Sequence, residues 1–431
     1  MAHGYRRTVM AFGLVVVAAA LLAVLSAPAS AQDDPPPPRF EGTLSAADGP
    51  VGETTIEIRE VDGDFTASVT TDADGTWSVE LPARGATYEV ELLVESLPEG
   101  LTLADPEQAV LTPRISQPGQ LRVVTFDLGS GGSVGEGTGA RLAQSLVNGI
   151  KFGLIIGMAS VGLSLVFATT GLINFAHGEL VTFGAALAWW LNTRSLEATL
   201  VLATLIAVLG GAALGVGVEL GIMRPLRRLR LGPFQFVVVT IGLSLVGRQL
   251  FQLWIGEGNV GYRQYRIQQP WSVGSIDLTP RDLAIIATSI VALVAVASTL
   301  QLTRMGKAMR AVSDNADLAA SSGIAVDGVV LRVWAAGAAL AALGGVLFGL
   351  SEVVKFDMGF RLLLLIFAAV VLGGLGTAYG AMAGGLVIGI VTEVSTVWIA
   401  PELKFVWALA ALIVVLLVRP QGILGVAERV G

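Results

Sequence analysis

The chain has 431 residues, 53% of them hydrophobic and only 14% charged, with 53 glycines, two histidines, no cysteine and a net charge of −7. A soluble domain averages about 25% charged residues, so this composition points to a polytopic membrane protein. The lack of cysteine excludes disulfide scaffolds, thiolate metal sites and cysteine nucleophiles.

Residues 1–31 read as a secretory signal. Arg6 and Arg7 form its positive start, Val9–Leu25 its apolar core, and Ala29-Ser30-Ala31 a small-residue cleavage site. An uncleaved anchor is the alternative, and either form exports the segment after it. Residues 32–38 (QDDPPPP) predict a stiff, extended linker. In residues 39–128 the period changes to two. Thr54–Arg59, Trp77–Leu81, Tyr88–Leu92 and Arg122–Phe126 alternate apolar with polar side chains between Gly, Asp and Pro turns. That pattern predicts a small antiparallel β-sandwich. Asp72 and Asp74 ahead of Gly75 read as a hairpin turn, because most ligands of a calcium loop are missing.

Residues 129–140 (GSGGSVGEGTGA) form a flexible linker, and residues 141–425 a transmembrane domain. Apolar runs at 145–168, 179–193, 197–222, 234–255, 281–303, 328–352, 361–378, 380–399 and 403–418 predict about nine spans. The fold class is therefore a polytopic α-helical membrane protein of about eight to ten spans with a small N-terminal extracytoplasmic all-β sandwich.

Charge sets the orientation. Residues 32–140 hold 20 acidic and 5 basic side chains, whereas residues 141–431 hold 14 acidic and 20 basic. The basic residues gather in short loops: Arg224, Arg227, Arg228 and Arg230 in one, Arg304, Lys307 and Arg310 in another. Such loops stay cytoplasmic, and they are not a nucleic-acid footprint. An exported N-terminus followed by three spans, and then by two more, brings both loops inside. The β-sandwich and the 256–280 loop then lie outside, and the C-terminus lies in the cytoplasm.

The segment Gly171–Glu179 (GLINFAHGE) packs Asn174, His177, Gly178 and Glu179 between two apolar runs. Polar groups at membrane depth are costly unless they pair or face a cavity. Flanking glycines let a helix break and expose backbone groups to a substrate. These four residues are therefore candidates for a translocation path; a polar helix end at the interface is the alternative. One His and one Glu make neither a metal site nor a catalytic triad.

Four collinear segments resemble the branched-chain amino acid permease family: MASVGLSLVFATTGLINFAHGELVTFGA; RMGKAMRA with Asp314, Ala319 and Gly323-Ile324; LGGLG with YGAMAGG; and RPQGILG. The resemblance spans 145–425. It implies an importer subunit that works with ABC ATPase subunits, a second, homologous permease subunit and an extracytoplasmic solute-binding protein, in a bacterial cell membrane. It implies no cofactor. No phosphate-binding GxxxxGK[ST] loop is present, so any ATPase is a separate polypeptide. The 304–327 loop is by resemblance the ATPase-coupling helix, with Gly306, Arg310, Ala311, Asp314, Ala319 and Gly323 as its candidate residues; a solvated loop that only sets topology is the alternative. Gly373, Gly374, Gly376, Gly384 and Gly385 are expected to allow close helix packing. Glu219 and Glu393 lie inside apolar runs, where each lines the path, pairs with an arginine or sits at a helix end. Glu219 is expected to pair locally with Arg224.

The substrate implied is a branched-chain amino acid, with urea or a short amide, also carried in this family, as the alternative. A secondary transporter or channel working alone is a further alternative. The stretch TTDADGTWSVELPARGATYEV is similar to the carboxypeptidase-regulatory-like sandwich family, which is non-catalytic. That sandwich departs from the usual permease plan; its acidity next to the entrance suggests that it stabilises the assembly outside or docks a binding protein, with a passive spacer as the alternative.

Overall fold

The computed structural model describes residues 37–424, apart from 47–48, 83–85, 99–100, 104–108, 116–120, 125, 127, 131–137, 196–197, 230, 257–258, 266–267, 269–270, 275, 399–402 and 419–421. The expected signal at 1–31, most of both linkers, Arg230 of the first basic loop, and Arg419-Pro420-Gln421 and Gly425 of the last motif lie outside the described residues.

The first part is a β-domain with two main sheets and two small strand pairs, Ser45–Ala46 with Gly49–Pro50 and Leu101–Leu103 with Leu128–Ser130. Strand β1 (Arg39–Thr43) is central to one sheet. Further along the chain run β2 (Thr55–Glu60), β3 (Thr66–Thr70), β4 (Thr76–Glu80), β5 (Tyr88–Leu92), β6 (Val110–Leu111) and β7 (Leu121–Val123). One sheet has the order β7-β1-β4 and the other β3-β2-β5-β6. The second is fully antiparallel, as the alternation predicts. The first is not: β1 pairs with β7 in parallel, Phe40 opposite Arg122. Sequence period fixes which face a side chain takes, not the direction of the neighbouring strand. Phe40, Ile56, Ile58, Trp77, Tyr88, Val90 and Phe126 fill the core between the sheets. Phe40 meets Tyr88 edge-to-face at 5.5 Å.

The Asp72–Gly75 segment is a tight turn that crosses from one sheet to the other rather than a hairpin. Asp72 Oδ1 accepts from the Asp74 amide at 3.0 Å and the Thr76 amide at 2.7 Å, and Oδ2 from the Thr76 hydroxyl at 2.5 Å. Those bonds satisfy the carboxylate internally.

The second part is a helical bundle. Its helices are α1 (Thr138–Thr170), α2 (His177–Trp190), α3 (Leu200–Val218, continued through a wide turn Glu219–Met223 to Arg224–Arg228), α4 (Pro233–Ile255) and α5 (Pro280–Leu302). Then come two short helices, α6 (Arg304–Asp314) and α7 (Ala316–Ser321). The chain returns through α8 (Val326–Ser351), α9 (Met358–Gly373), α10 (Ala378–Val394) and α11 (Lys404–Val418). Among the described residues, six of these helices are long and apolar enough to cross a membrane. Of the remaining apolar helices, α9 and α11 fall below the length of a full span, and α2 is extended by a wide turn at Leu191–Ser195.

Helix α1 is the axle, packed against α8, α9 and α10. The α1–α8 crossing is glycine on glycine: a Cβ at Gly162 would lie 2.5 Å from the Gly337 carbonyl oxygen. In lipid, where no hydrophobic effect drives helices together, such close approach is the main source of packing energy. Helices α3, α4 and α5 are peripheral and turn Leu205, Leu209, Val238, Leu253 and Val291 outward, the composition of a lipid-facing surface.

Candidate translocation site

The bundle is interrupted twice on the same plan. Helix α1 stops at Thr170, and α2 starts after residues 171–176; helix α8 stops at Ser351, and α9 starts after residues 352–357. Gly171, with φ +67°, ends α1 in the left-handed region that glycine reaches without cost. Asn174 Oδ1 then accepts from the Ala176 amide at 3.0 Å, and the chain turns into α2. At 16 residues, α9 is about 24 Å long, short of the roughly 30 Å hydrocarbon layer, whereas α2, 14 residues to Trp190, runs on through a wide turn at Leu191–Ser195.

The two half-helices meet at their N-termini. A Cβ on Gly178 would lie 2.5 Å from the Gly359 carbonyl oxygen and 3.3 Å from Leu363 Cβ. The Gly359 amide donates to Thr182 Oγ1 at 3.1 Å. Phe175 stands 4.9 Å from Phe367, centroid to centroid. As α2 advances, its partner residue on α9 recedes, so the first turns overlap antiparallel with both positive dipole ends at one crossing.

Of the four predicted path residues, Asn174 and His177 serve the local architecture. His177, 1% exposed, donates through Nε2 to the Ala159 carbonyl on α1 at 2.9 Å, which ties the break to the axle. Gly178 is the contact with α9. Glu179, 7% exposed, accepts from Ser244 Oγ of α4 at 3.0 Å through Oε1, while Oε2 has no hydrogen-bond partner among the described residues. The carboxylate supports the positive end of α2 from its first turn.

Three charged residues at this crossing escape a sequence reading. Arg248, in mid-α4, lies within electrostatic range of Glu179, as does Asp357. The Arg248 guanidinium sits 5.2 Å from the Phe360 ring centroid. Asp357 pairs with Arg361 Nε at 2.7 Å. Their only sequence signal is a lone arginine in an apolar run and an Asp and Arg four apart at a helix start.

Other charges in or beside the helices are paired among the described residues. Glu219 makes a two-pronged pair with Arg227 rather than with the expected Arg224; one prong is 2.9 Å. The wide turn at 219–223 changes the phase of the helix and brings Arg227 round. Arg224 instead reaches Asp327 at the start of α8, with Arg228 beside it at 3.6 Å. That bond places the two basic loops at one end of the bundle. The 256–280 loop joins the start of α1 at another: Lys151 pairs with Asp282 at 2.7 Å, and Gln144 bonds the Asp277 backbone in both directions.

The 304–327 segment forms an elbow at the basic end. Thr303 caps α6 by accepting from the Gly306 amide, and Asn315 caps α7 by accepting from Leu318. Gly306 packs under α5, where a Cβ would lie 2.5 Å from the Thr299 carbonyl oxygen, and Arg310 bonds the Leu300 carbonyl. Ala319 is buried and Ala311 half-buried against the chain itself; Asp314, Asp317 and Ala320 are exposed, and Leu318 is 64% exposed. Gly323, with φ +86°, ends α7. In the Gly-rich segment, Gly373, Gly384 and Gly385 lie in helix contacts, whereas Gly374 and Gly376 have positive φ in the α9–α10 turn.

Comparison with known proteins fits this architecture. The family described as branched-chain amino acid transport system / permease component matches residues 145–416, which leaves the β-domain outside. The high-affinity branched-chain amino acid transport system permease proteins LivH of Salmonella typhimurium and Escherichia coli K12 are each 31% identical over 298 residues, covering 66% of this chain and 96% of theirs. The counterpart BraD of Pseudomonas aeruginosa is 28% identical over 304 residues, with the same shares.

Proposed function

The chain belongs to the branched-chain amino acid transport permease family, and on that footing we propose that it is the permease subunit of an ATP-driven importer that moves branched-chain or related amino acids into the cytoplasm. The observation that carries the reading is the head-to-head crossing of α2 and α9 with Glu179 buried beside it. Half-helices whose N-termini meet inside a bundle present oriented backbone dipoles where a substrate must shed water. The path runs past Asn174, Gly178 and Glu179, and His177 braces it.

The remaining assignments rest on charge and exposure. The end with Arg224, Arg227, Arg228 and the α6–α7 elbow faces the cytoplasm, and the β-domain and the 256–280 loop face outward. The elbow is the contact for a separate ATPase. Leu318 stands proud of it as an apolar anchor, flanked by Asp314 and Asp317. Its base is fixed to α5 through Gly306 and Arg310, and its exit runs straight into α8, so a displacement of the elbow is passed to the helix that packs on α1, α2 and α3. A second permease subunit and an extracytoplasmic binding protein complete the assembly.

Gene deletion in the native host tests the reading. Loss of radiolabelled leucine uptake, restored by the chain but not by a Leu318→Asp variant expressed at equal level, supports it. Unchanged leucine uptake with lost urea uptake would move the substrate to the amide class.

A further inference from the structure

We propose that the seam between α2 and α4 reads a zwitterion, with Glu179 receiving the α-ammonium group of a passing amino acid and Arg248 its α-carboxylate. The inference rests on the amino-acid reading given above and adds the residues that recognise the charges.

Helix α4 is an unusual peripheral helix. One side, with Phe234, Val238, Ile241, Leu245 and Leu253, is exposed and apolar. The other repeats every four residues through Phe236, Thr240, Ser244 and Arg248, and Ser244 faces α2. Gly247 lets α4 close on Glu179, because a Cβ there would come within 3.2 Å of Glu179 Cγ. Among the described residues, two polar atoms at this seam are buried with no hydrogen-bond partner: Glu179 Oε2 and Arg248 Nε. They do not bond each other, although the two side chains are near enough to interact. Thr240 is self-satisfied through the Val237 carbonyl, and Asp357 is held by Arg361.

An unpaired carboxylate oxygen and an unpaired guanidinium nitrogen inside a bundle are both costly. A shared ligand with one positive and one negative end satisfies both at once. An α-amino acid has that charge pair on a single carbon. Phe360 under the guanidinium keeps Arg248 flat and at the seam instead of letting it snorkel outward. Urea and short amides carry no such pair and gain nothing from it.

The test uses the full chain co-assembled with its ATPase, second permease and binding protein in proteoliposomes. Glu179→Gln and Arg248→Gln are each expected to lower leucine uptake about tenfold or more, as loss of a hydrogen bond to a charged group does, with binding-protein-stimulated ATP hydrolysis kept within about twofold. Arg248→Lys should recover part of the uptake. Leucine uptake at the wild-type rate in Arg248→Gln overturns the proposal, and so does an equal fall in uptake and hydrolysis that Arg248→Lys does not relieve. A wild-type assembly that carries urea and not leucine instead removes the amino-acid reading itself. Where a charge variant fails to assemble, Ser244→Cys supplies the only thiol in the chain. Leucine should then slow its alkylation by maleimide, and leucinol and isocaproate, each lacking one charge, should not. Absence of leucine protection during active uptake overturns the proposal.

Discussion

Replacing Gly178 by alanine tests the half-helix crossing most simply. The added methyl would sit 2.5 Å from the Gly359 carbonyl oxygen, 2.8 Å from its carbonyl carbon and 3.3 Å from Leu363 Cβ. Ordinary contact lies near 3.5 Å, so α2 and α9 must part by about 1 Å. Overpacking of this kind costs about 1–3 kcal/mol. Parting the helices also stretches the 3.1 Å bond from the Gly359 amide to Thr182, worth about 1 kcal/mol. The total is roughly 2–4 kcal/mol, or about 5–15 °C in Tm for a domain of this size. Thermal unfolding of the detergent-solubilised chain, followed by size-exclusion fluorescence, measures it. Gly217→Ala and Gly242→Ala are the controls, because a Cβ at either meets nothing within 4 Å. A Gly178→Ala protein as stable as those controls would refute the crossing.

Other residues give independent expectations. Arg227→Ala strands Glu219, which is 1% exposed, and should cost about 3–5 kcal/mol in the same assay, whereas Arg227→Ala with Glu219→Gln should recover much of it. Asp327→Asn removes the carboxylate that Arg224 and Arg228 share at a half-exposed site, so stability should fall by no more than about 1 kcal/mol while coupling between ATP hydrolysis and uptake loosens, read as hydrolysis per leucine moved. In the β-domain, bonds from the Thr76 hydroxyl and amide hold the Asp72 carboxyl below its ordinary value of 3.8. Its contribution is therefore complete above pH 3.8 and fades as pH drops through the lowered value. Hydrogen exchange at the Thr76 amide should be flat from pH 7 to 5 after correction for intrinsic rates, and Asp72→Asn should raise it throughout.

Legibility in the sequence tracks the physics of each signal. Helix positions are legible because apolar runs must be long enough to cross lipid, and both basic loops share one end, as their charge requires. The GLINFAHGE segment announces a break because glycine and polar residues interrupt a span. Its counterpart at 352–357 is hidden: EVVKFD shares with GLINFA only a phenylalanine, Phe356 against Phe175. Two breaks of equal length need not repeat side chains. Arg248 escapes notice because a single arginine lowers a run's hydropathy too little to interrupt it. Its meaning comes from Glu179, 69 residues away in the chain and adjacent only after folding. Glu219 reads as locally paired, but the wide turn that selects Arg227 over Arg224 leaves no mark in the residue pattern. In the β-domain the alternation places the strands, while the parallel β1–β7 pair depends on a chain path that alternation does not encode.

The measurement that bears most directly on the whole account is leucine uptake into proteoliposomes holding the purified chain, with and without its ATPase, second permease and binding protein. ATP-dependent accumulation is expected with the complete assembly and none with the chain alone. Uptake by the chain alone, driven by a proton gradient or by leucine's own gradient, would contradict it.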